Sequence, residues 1–388
     1  MQIPAQYQGR EQSYLKHRVL EEYLLSWGHK LGSGAQHRRV RLCYVDGFAG
    51  PWQAKDAQLA DTSISIGLDA LEEAAATWKA KGHTIDLDAF FVEKDPRAFQ
   101  ALERFLNGRS GVVRTKAYRG DFGDHVGHIR QQLGKDAAFI FVDPTGWKGA
   151  AMRFIAPLLA DSKQRDVLVN FMFNHINRFK DDERDFLRSQ MRDFFGLGDR
   201  DLPEGLGEEQ LFAFYRKQLK DQCGITYAAD LAIPHPTVKR TKFRLVIGGN
   251  SPAVLELFRD IEKKVMGAEA ASVRERAVAR AIEQKTGQIS LLDTPQPTDS
   301  HYESLHAHGL TLIPKTILER LVNLGPVTFK ELWPAMLEAH HVTRVELGQL
   351  VWGMHKRGEI LLASVKPRER TVNGDHLLSV RSGPKIMG

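Results

Sequence analysis

Cysteine is nearly missing from this chain: only Cys43 and Cys223 occur among 388 residues. Two thiols supply neither a disulfide framework nor a cysteine-built metal cluster. They fit a reducing compartment, so a cytoplasmic protein without a metal site is expected. No run of about 18 apolar residues occurs, which leaves no expected membrane span. The opening stretch MQIPAQYQGREQSYLKHR lacks the apolar core of a secretory signal, so none is expected. Two nucleotide signatures are absent as well. There is no G-x-x-x-x-G-K-[ST] P-loop, and the first glycine-rich turn reads D-G-F-A-G-P where a dinucleotide fold would have G-x-G-x-x-G. The P-loop and nicotinamide readings both lose their support.

What is present is ordinary in bulk and specific in detail. A hydrophobic fraction of 42% and a charged fraction of 26% suit a globular protein. The length allows about two domains at ~150 residues each. Basic residues number 54 against 48 acidic, a net charge of +6 that leans toward anionic partners. The clusters are local: 37–41, 239–242, Lys356-Arg357 and the run Lys366-Pro367-Arg368-Glu369-Arg370.

Residues 12–30 carry Leu15, Val19, Leu20, Tyr23, Leu24 and Trp27 at helical spacing, so an amphipathic helix opens the chain. Short apolar runs then alternate with helical patterns. Strands are expected at 41–46, 88–93, 112–121, 137–144 and 166–173, which argues for a parallel sheet with helices on both faces. Residues of about 175–222 read as a helical insertion. The last two strands, 225–233 and 241–249, are joined too closely for a crossover helix and should pair antiparallel. The expected fold is therefore α/β: a Rossmann-like, seven-stranded methyltransferase sheet spanning residues 1–285. Residues 286–310 lack periodicity and read as a linker. In 311–388, three helices and two strands around the loop KPRERTVNG form the pattern of a winged helix, a fold that places one helix in a groove and a loop on phosphates.

The chemistry-bearing residues stand at strand ends, where an open α/β sheet forms its ligand crevice. They are Asp46 with Gly47, Phe48 and Gly50, then Glu93, then Asp121 with Phe122, and Asp143 with Pro144. A lone acid at such a position also serves as a helix cap or turn former; four around one crevice suit S-adenosylmethionine. Gly47 and Gly50 would let backbone amides approach its methionine part. Glu93 would accept both ribose hydroxyl protons, Asp121 the adenine amine with Phe122 against the ring, and Asp143 would stand beside the sulfonium methyl. Asn170 and Asn174 lie at the end of the fifth strand, where they could bond substrate or cap the inserted helices. Lys16 and His17 either face the cofactor mouth or belong to a solvated helix face.

The motifs YVDGFAGP, FFVEKD, GDF and FIFVDPTG, with the lysine-bearing first helix (Lys16, Tyr23, Trp27), VNFMFN and FRLVIGGNSPAVLELFRDIEKKV, resemble those of three-Cys-motif partner proteins (TcmP), a bacterial family with a methyltransferase-like fold. The resemblance implies an S-adenosylmethionine site and a partner protein of radical type carrying a cysteine cluster. The D-G-F-A-G-P and D-P strand ends also resemble amino-methyltransferases of nucleic acids, whose fourth strand continues D/N-P-P-Y/F. Here Asp143-Pro144-Thr145-Gly146-Trp147 keeps the acid and first proline and lacks the second proline and adjacent aromatic. Trp147, one position further on, is the candidate to stack on a flipped base. Asp143, Pro144 and Trp147 are thus the candidate catalytic residues, and Lys366, Arg368 and Arg370 the candidate phosphate contacts.

The expectation is a methyltransferase acting on nucleic acid, DNA before RNA, with a role in repair or modification. The alternative is a non-catalytic DNA-binding partner of the radical-type protein. A weaker third reading is metal-assisted hydrolysis at Asp121, Asp124 and Asp143. Gln288-Ile289-Ser290-Leu291-Leu292 also resembles a peptide that docks on the bacterial sliding clamp.

Overall fold

A computed structural model describes residues 3–50, 59, 61–235, 240–286 and 301–380. Alternation along the strands decides its architecture. In β1 (Val40–Asp46), Leu42 and Tyr44 enter one apolar layer while Cys43 and Val45 enter the other. The same division runs through β2 (Ile85–Glu93), β4 (Ala137–Val142) and β5 (Arg165–Phe171). Strands buried on both faces read as nearly continuous apolar runs, which is why the sequence gives them away. β3 (Arg114–Arg119) lies at the edge, and its alternately exposed Arg114, Lys116 and Arg119 suit an unpaired margin.

With β6 (Tyr227–Pro234) and β7 (Thr241–Gly249) the sheet order is β3-β2-β1-β4-β5-β7-β6. β7 runs antiparallel to β5 and β6, and the pairs from β3 to β5 are parallel. This is the expected Rossmann-like seven-stranded sheet, and the closing antiparallel pair is where loop length put it. One face is covered by α1 (Glu11–Gly32), α2 (Ser63–Ala80), α3 (Pro96–Gly108) and α9 (Ala253–Glu262). The other is covered by α4 (Phe122–Leu133), α5 (Met152–Leu159) and an insertion of α6 (Phe173–Phe179), α7 (Asp185–Phe195) and α8 (Glu208–Cys223). Phe171 anchors that insertion through edge contacts to Phe194, Phe212 and Tyr215 at 4.9, 5.1 and 4.3 Å.

The first helix is fixed by a buried polar contact. Tyr23 donates to Asp166 at 2.8 Å, and burial pushes the Asp166 carboxyl from 3.8 up to about 7. The folded state thus keeps a proton that the unfolded chain releases. That contribution to stability is complete below about pH 4 and is lost as pH rises toward 7. Asp166→Asn should flatten the fall in stability between pH 4 and 7, on the order of a few kcal/mol, when urea denaturation of the two proteins is compared across that window.

After α9 a π-helical turn (Lys263–Glu269) leads into α10 (Ala270–Thr286). The C-terminal unit holds α11 (His301–Leu324), β8 (Val327–Thr328), α12 (Phe329–Ala339), α13 (Arg344–Lys356), β9 (Ile360–Ala363) and β10 (Leu377–Val380). Its three strands pair antiparallel in the order β8-β10-β9. Thr328 and Thr343 cap α12 and α13 with reciprocal bonds from Glu331 and Glu346, so both helices start where the sequence has T-x-x-E. The expected linker 286–310 is corrected over residues 301–310, which are the start of α11. Gly309 is not a breaker there: it sits inside the helix, facing His340 and Val342. Tyr302, Gly309, Ile313, Ile317 and Leu321 form the buried stripe. The apolar cluster over α1 and α9 continues into this unit. Arg259, 2% exposed, ties the two together by donating to the Leu337 carbonyl at 2.9 Å, while pairing with Glu262 of its own helix at 2.6 Å.

Candidate active site

The strand order reverses between β1 and β4, and the crevice lies at their carboxyl ends, as open α/β sheets dictate. Its lining includes Gly47, Phe48, Glu93, Lys94, Asp121, Phe122, Asp143 and Lys148. Five of the seven residues expected to hold a cofactor are therefore brought together: Gly47, Phe48, Glu93, Asp121 and Phe122. Glu93 closes β2 at 3% exposure, and its Oε1 accepts from the Asp95 amide at 2.6 Å. Burial raises its carboxyl above the ordinary value. Asp121 precedes α4 with its side chain largely exposed and bonded to no helix amide, with only a loose ion pair from Oδ1 to Lys94 at 3.9 Å. Phe122 is buried, with its ring 5.7 Å from that of Phe48.

The glycine turn does its work differently from the expectation. The Gly47 amide donates to Phe141 O at 3.0 Å, Phe48 to Asp46 Oδ1 at 3.1 Å, Ala49 to Val92 O at 2.8 Å and Gly50 to Phe48 O at 2.9 Å. All four amides are spent inside the protein, so Gly47 and Gly50 present no free donor to a ligand. Asp46 is likewise a structural brace. It is fully buried, accepts from Ser63 Oγ at 2.6 Å, and carries a carboxyl pushed by burial up to about 6. Neither Asp46 nor Gly50 lines the crevice. What Gly47 supplies is room: a Cβ there would stand 2.9 Å from the Phe122 ring. Gly47→Ala should therefore destabilise the protein by about 1–3 kcal/mol, read as a lower denaturation midpoint.

The acceptor side is built around Asp143. Lys16 of α1 pairs with its Oδ2, and Asn170 of β5 donates to its Oδ1 at 2.6 Å. Lys16 also lies 5.4 Å from the Phe243 ring centre. Asn170 is 1% exposed, and its own Oδ1 has no hydrogen-bond partner. A buried acceptor without a donor is costly, and it sits beside the one acid at the end of β4. Of the two alternatives for the first helix, Lys16 belongs to the site; His17 bonds Tyr7 at 2.9 Å in the core, where burial lowers its pKa.

Trp147 is corrected from stacking residue to core residue. It is 8% exposed, donates to Gln190 at 3.1 Å and packs 5.6 Å from Phe179, so it pins the helical insertion. Pro144 is buried beside Asp143 and does not line the crevice. Asn174 stands on α6, and its side chain lies outside the described residues. Lys366, Arg368 and Arg370 are exposed on the loop from β9 to β10 and are no part of this crevice. Residues 288–292 lie outside the described residues. The sequence reading missed Lys94 and Lys148, two cations at the crevice wall. Lys94 stood directly after a strand-end acid, a signal that was available. Among the described residues, no three or more His, Cys, Asp or Glu side chains are grouped to hold a metal.

No family model matches the chain, so the likeness to three-Cys-motif partner proteins rests on the motifs alone. No curated protein matches it either. Among solved structures, protein LPL1258 from Legionella pneumophila is similar at 10% identity, covering 64% of this chain and 91% of that one with a TM-score of 0.34. A putative RNA methyltransferase from Pyrococcus horikoshii is similar at 14% identity over 58% and 81%, with a TM-score of 0.29. The plantazolicin methyltransferase BpumL, in complex with SAH, is similar at 8% identity over 63% and 87%, with a TM-score of 0.32. The strand order, not these distant likenesses, carries the fold assignment.

Proposed function

We propose that this protein is an S-adenosylmethionine-dependent methyltransferase acting on nucleic acid. One observation carries the reading: Glu93, Asp121 with Phe122, and Asp143 leave three separate chain segments and line one crevice at the switch point of the sheet. The residues fit the cofactor. Glu93 ends β2 as a carboxylate able to accept two ribose hydroxyls, and Asp121 and Phe122 offer an acceptor and a ring face at the adenine end. The cofactor supplies an electrophilic methyl group. Asp143, aimed by Lys16 and Asn170, would hold the acceptor in line with it, and the orphan Asn170 oxygen is a second acceptor for a donor group on the substrate. The C-terminal unit reads as a winged helix, with Lys366, Arg368 and Arg370 as its phosphate contacts, and DNA repair or modification is the process we assign it to. Incubation with methyl-labelled S-adenosylmethionine and mixed DNA and RNA should give labelled nucleic acid; cofactor binding with no label in either would contradict transfer.

A second reading has its own observation. Both Asp143 oxygens already have protein partners and Trp147 is committed to the core, so the wall that would take a flipped base lacks its aromatic. This favours a binding module that retains the cofactor crevice while a radical-type cysteine-cluster partner does the chemistry. A sliding-clamp contact through Gln288–Leu292 is compatible with either reading.

A further inference from the structure

A second cavity, of about 410 Å³, lies between α13 and the loop joining β9 to β10, away from the crevice. Phe329, Gly348, Trp352 and Val372 line its apolar part, and Gln349 and Arg370 its polar part. Gly348 is the informative residue. A glycine inside a helix costs about 1 kcal/mol relative to alanine. Nothing in the protein requires it, since a Cβ at 348 would have only Phe329 within 4 Å, at an ordinary 3.9 Å. The space its missing side chain leaves is the groove's. Trp352 borders the same space half-buried, with its indole Nε1 hidden from solvent and lacking a hydrogen-bond partner. A buried indole N–H ordinarily finds an acceptor.

The charge around the groove leans basic: Arg344 and Arg370 line it, and the acid in its lining, Glu256, is paired with Arg344 and Lys30. Lys366, Arg368 and Arg370 are exposed and make no ion pair among the described residues. The one acid of that run, Glu369, is turned inward to His376 at 3.1 Å and Asn373 at 2.8 Å. The run 366–370 therefore turns its cations outward, and the loop's exposed acid, Asp375, lies outside the groove's lining. The helix beside it is not free to enter a duplex. Its first turn is held against α9 by Arg344–Glu256 at 3.1 Å and against the π-helical turn by Lys263–Glu346 at 2.6 Å. A recognition helix reads duplex bases with its N-terminal residues, and here those residues are engaged.

We propose that this groove takes an unpaired base of single-stranded nucleic acid, stacked on Trp352, with the neighbouring phosphates on Arg370 and the basic loop. The inference rests on the nucleic-acid reading above and narrows it to single strands. The test uses the full-length protein and fluorescein-labelled homopolymers of thymidine and of uridine, with a duplex of equal length, in anisotropy titrations at one salt concentration. Single strands should bind about tenfold more tightly than duplex. Trp352→Ala and Gly348→Leu should each weaken single-strand binding about tenfold, with melting curves showing both variants folded. Gly348→Leu fills the groove without removing a contact, so it serves if Trp352→Ala unfolds. A preference for duplex, or full affinity in folded Gly348→Leu, would overturn the groove and leave nucleic-acid binding standing. No binding to any of the three would overturn both.

Discussion

Glu93→Ala is expected to lower affinity for S-adenosylmethionine at least about a hundredfold, with the fold retained. Two charge-assisted hydrogen bonds to a ribose diol are worth about 1.5–3 kcal/mol each, and a loss of about 3 kcal/mol is already more than a hundredfold. Glu93 is suited to that role because it is buried at the end of a central strand and braced by the Asp95 amide, so its position costs little to organise on binding. Glu93→Gln keeps the shape and one acceptor oxygen and should fall between wild type and Glu93→Ala. Isothermal titration calorimetry reads all three. Equal affinities in folded variants would remove Glu93 from the site and with it the orientation assigned to the cofactor.

The second large effect concerns the acceptor side. Lys16→Met should reduce methyl transfer about a hundredfold through kcat, with cofactor affinity changed less than about threefold, because Asp143 would lose the contact that aims it. The same substitution should destabilise the protein by about 2–4 kcal/mol, since it strands a carboxylate whose side chain is only 19% exposed. Lys16→Met combined with Asp143→Asn should recover much of that stability and none of the transfer. Denaturation midpoints and label-transfer rates measured on the same preparations separate the two. A Lys16→Met protein with unchanged turnover would show that Asp143 needs no such positioning, whereas wild-type protein that binds cofactor and transfers nothing would favour the binding-module reading.

The strands were legible because strands buried on both faces carry few polar residues to break the run, and the crevice acids because each stood where such a run stopped. Partnerships across the chain were not legible. Lys16 and Asp143 are 127 residues apart, and Trp147 and Gln190 are 43 apart; no local pattern encodes either pairing. For that reason Trp147 read as a base-stacking residue, and Lys16 stood between two readings. The glycine turn shows the same limit at shorter range. Its composition announced a close approach, and the structure identifies what approaches: the Phe122 ring against Gly47, with Asp46 bonded to Ser63 beneath. The first turns of α11 read as linker because the stretch 286–310 lacks periodicity and holds Pro295 and Pro297, both of which precede the helix.

The central claim is the placement of the cofactor, and a crystal structure with S-adenosylhomocysteine tests it most directly. The account predicts both ribose hydroxyls within hydrogen-bond distance of Glu93, the adenine against Phe122 with its amine toward Asp121, and the sulfur facing Asp143. A ligand seated elsewhere, or in this crevice with its ribose away from Glu93, would contradict it.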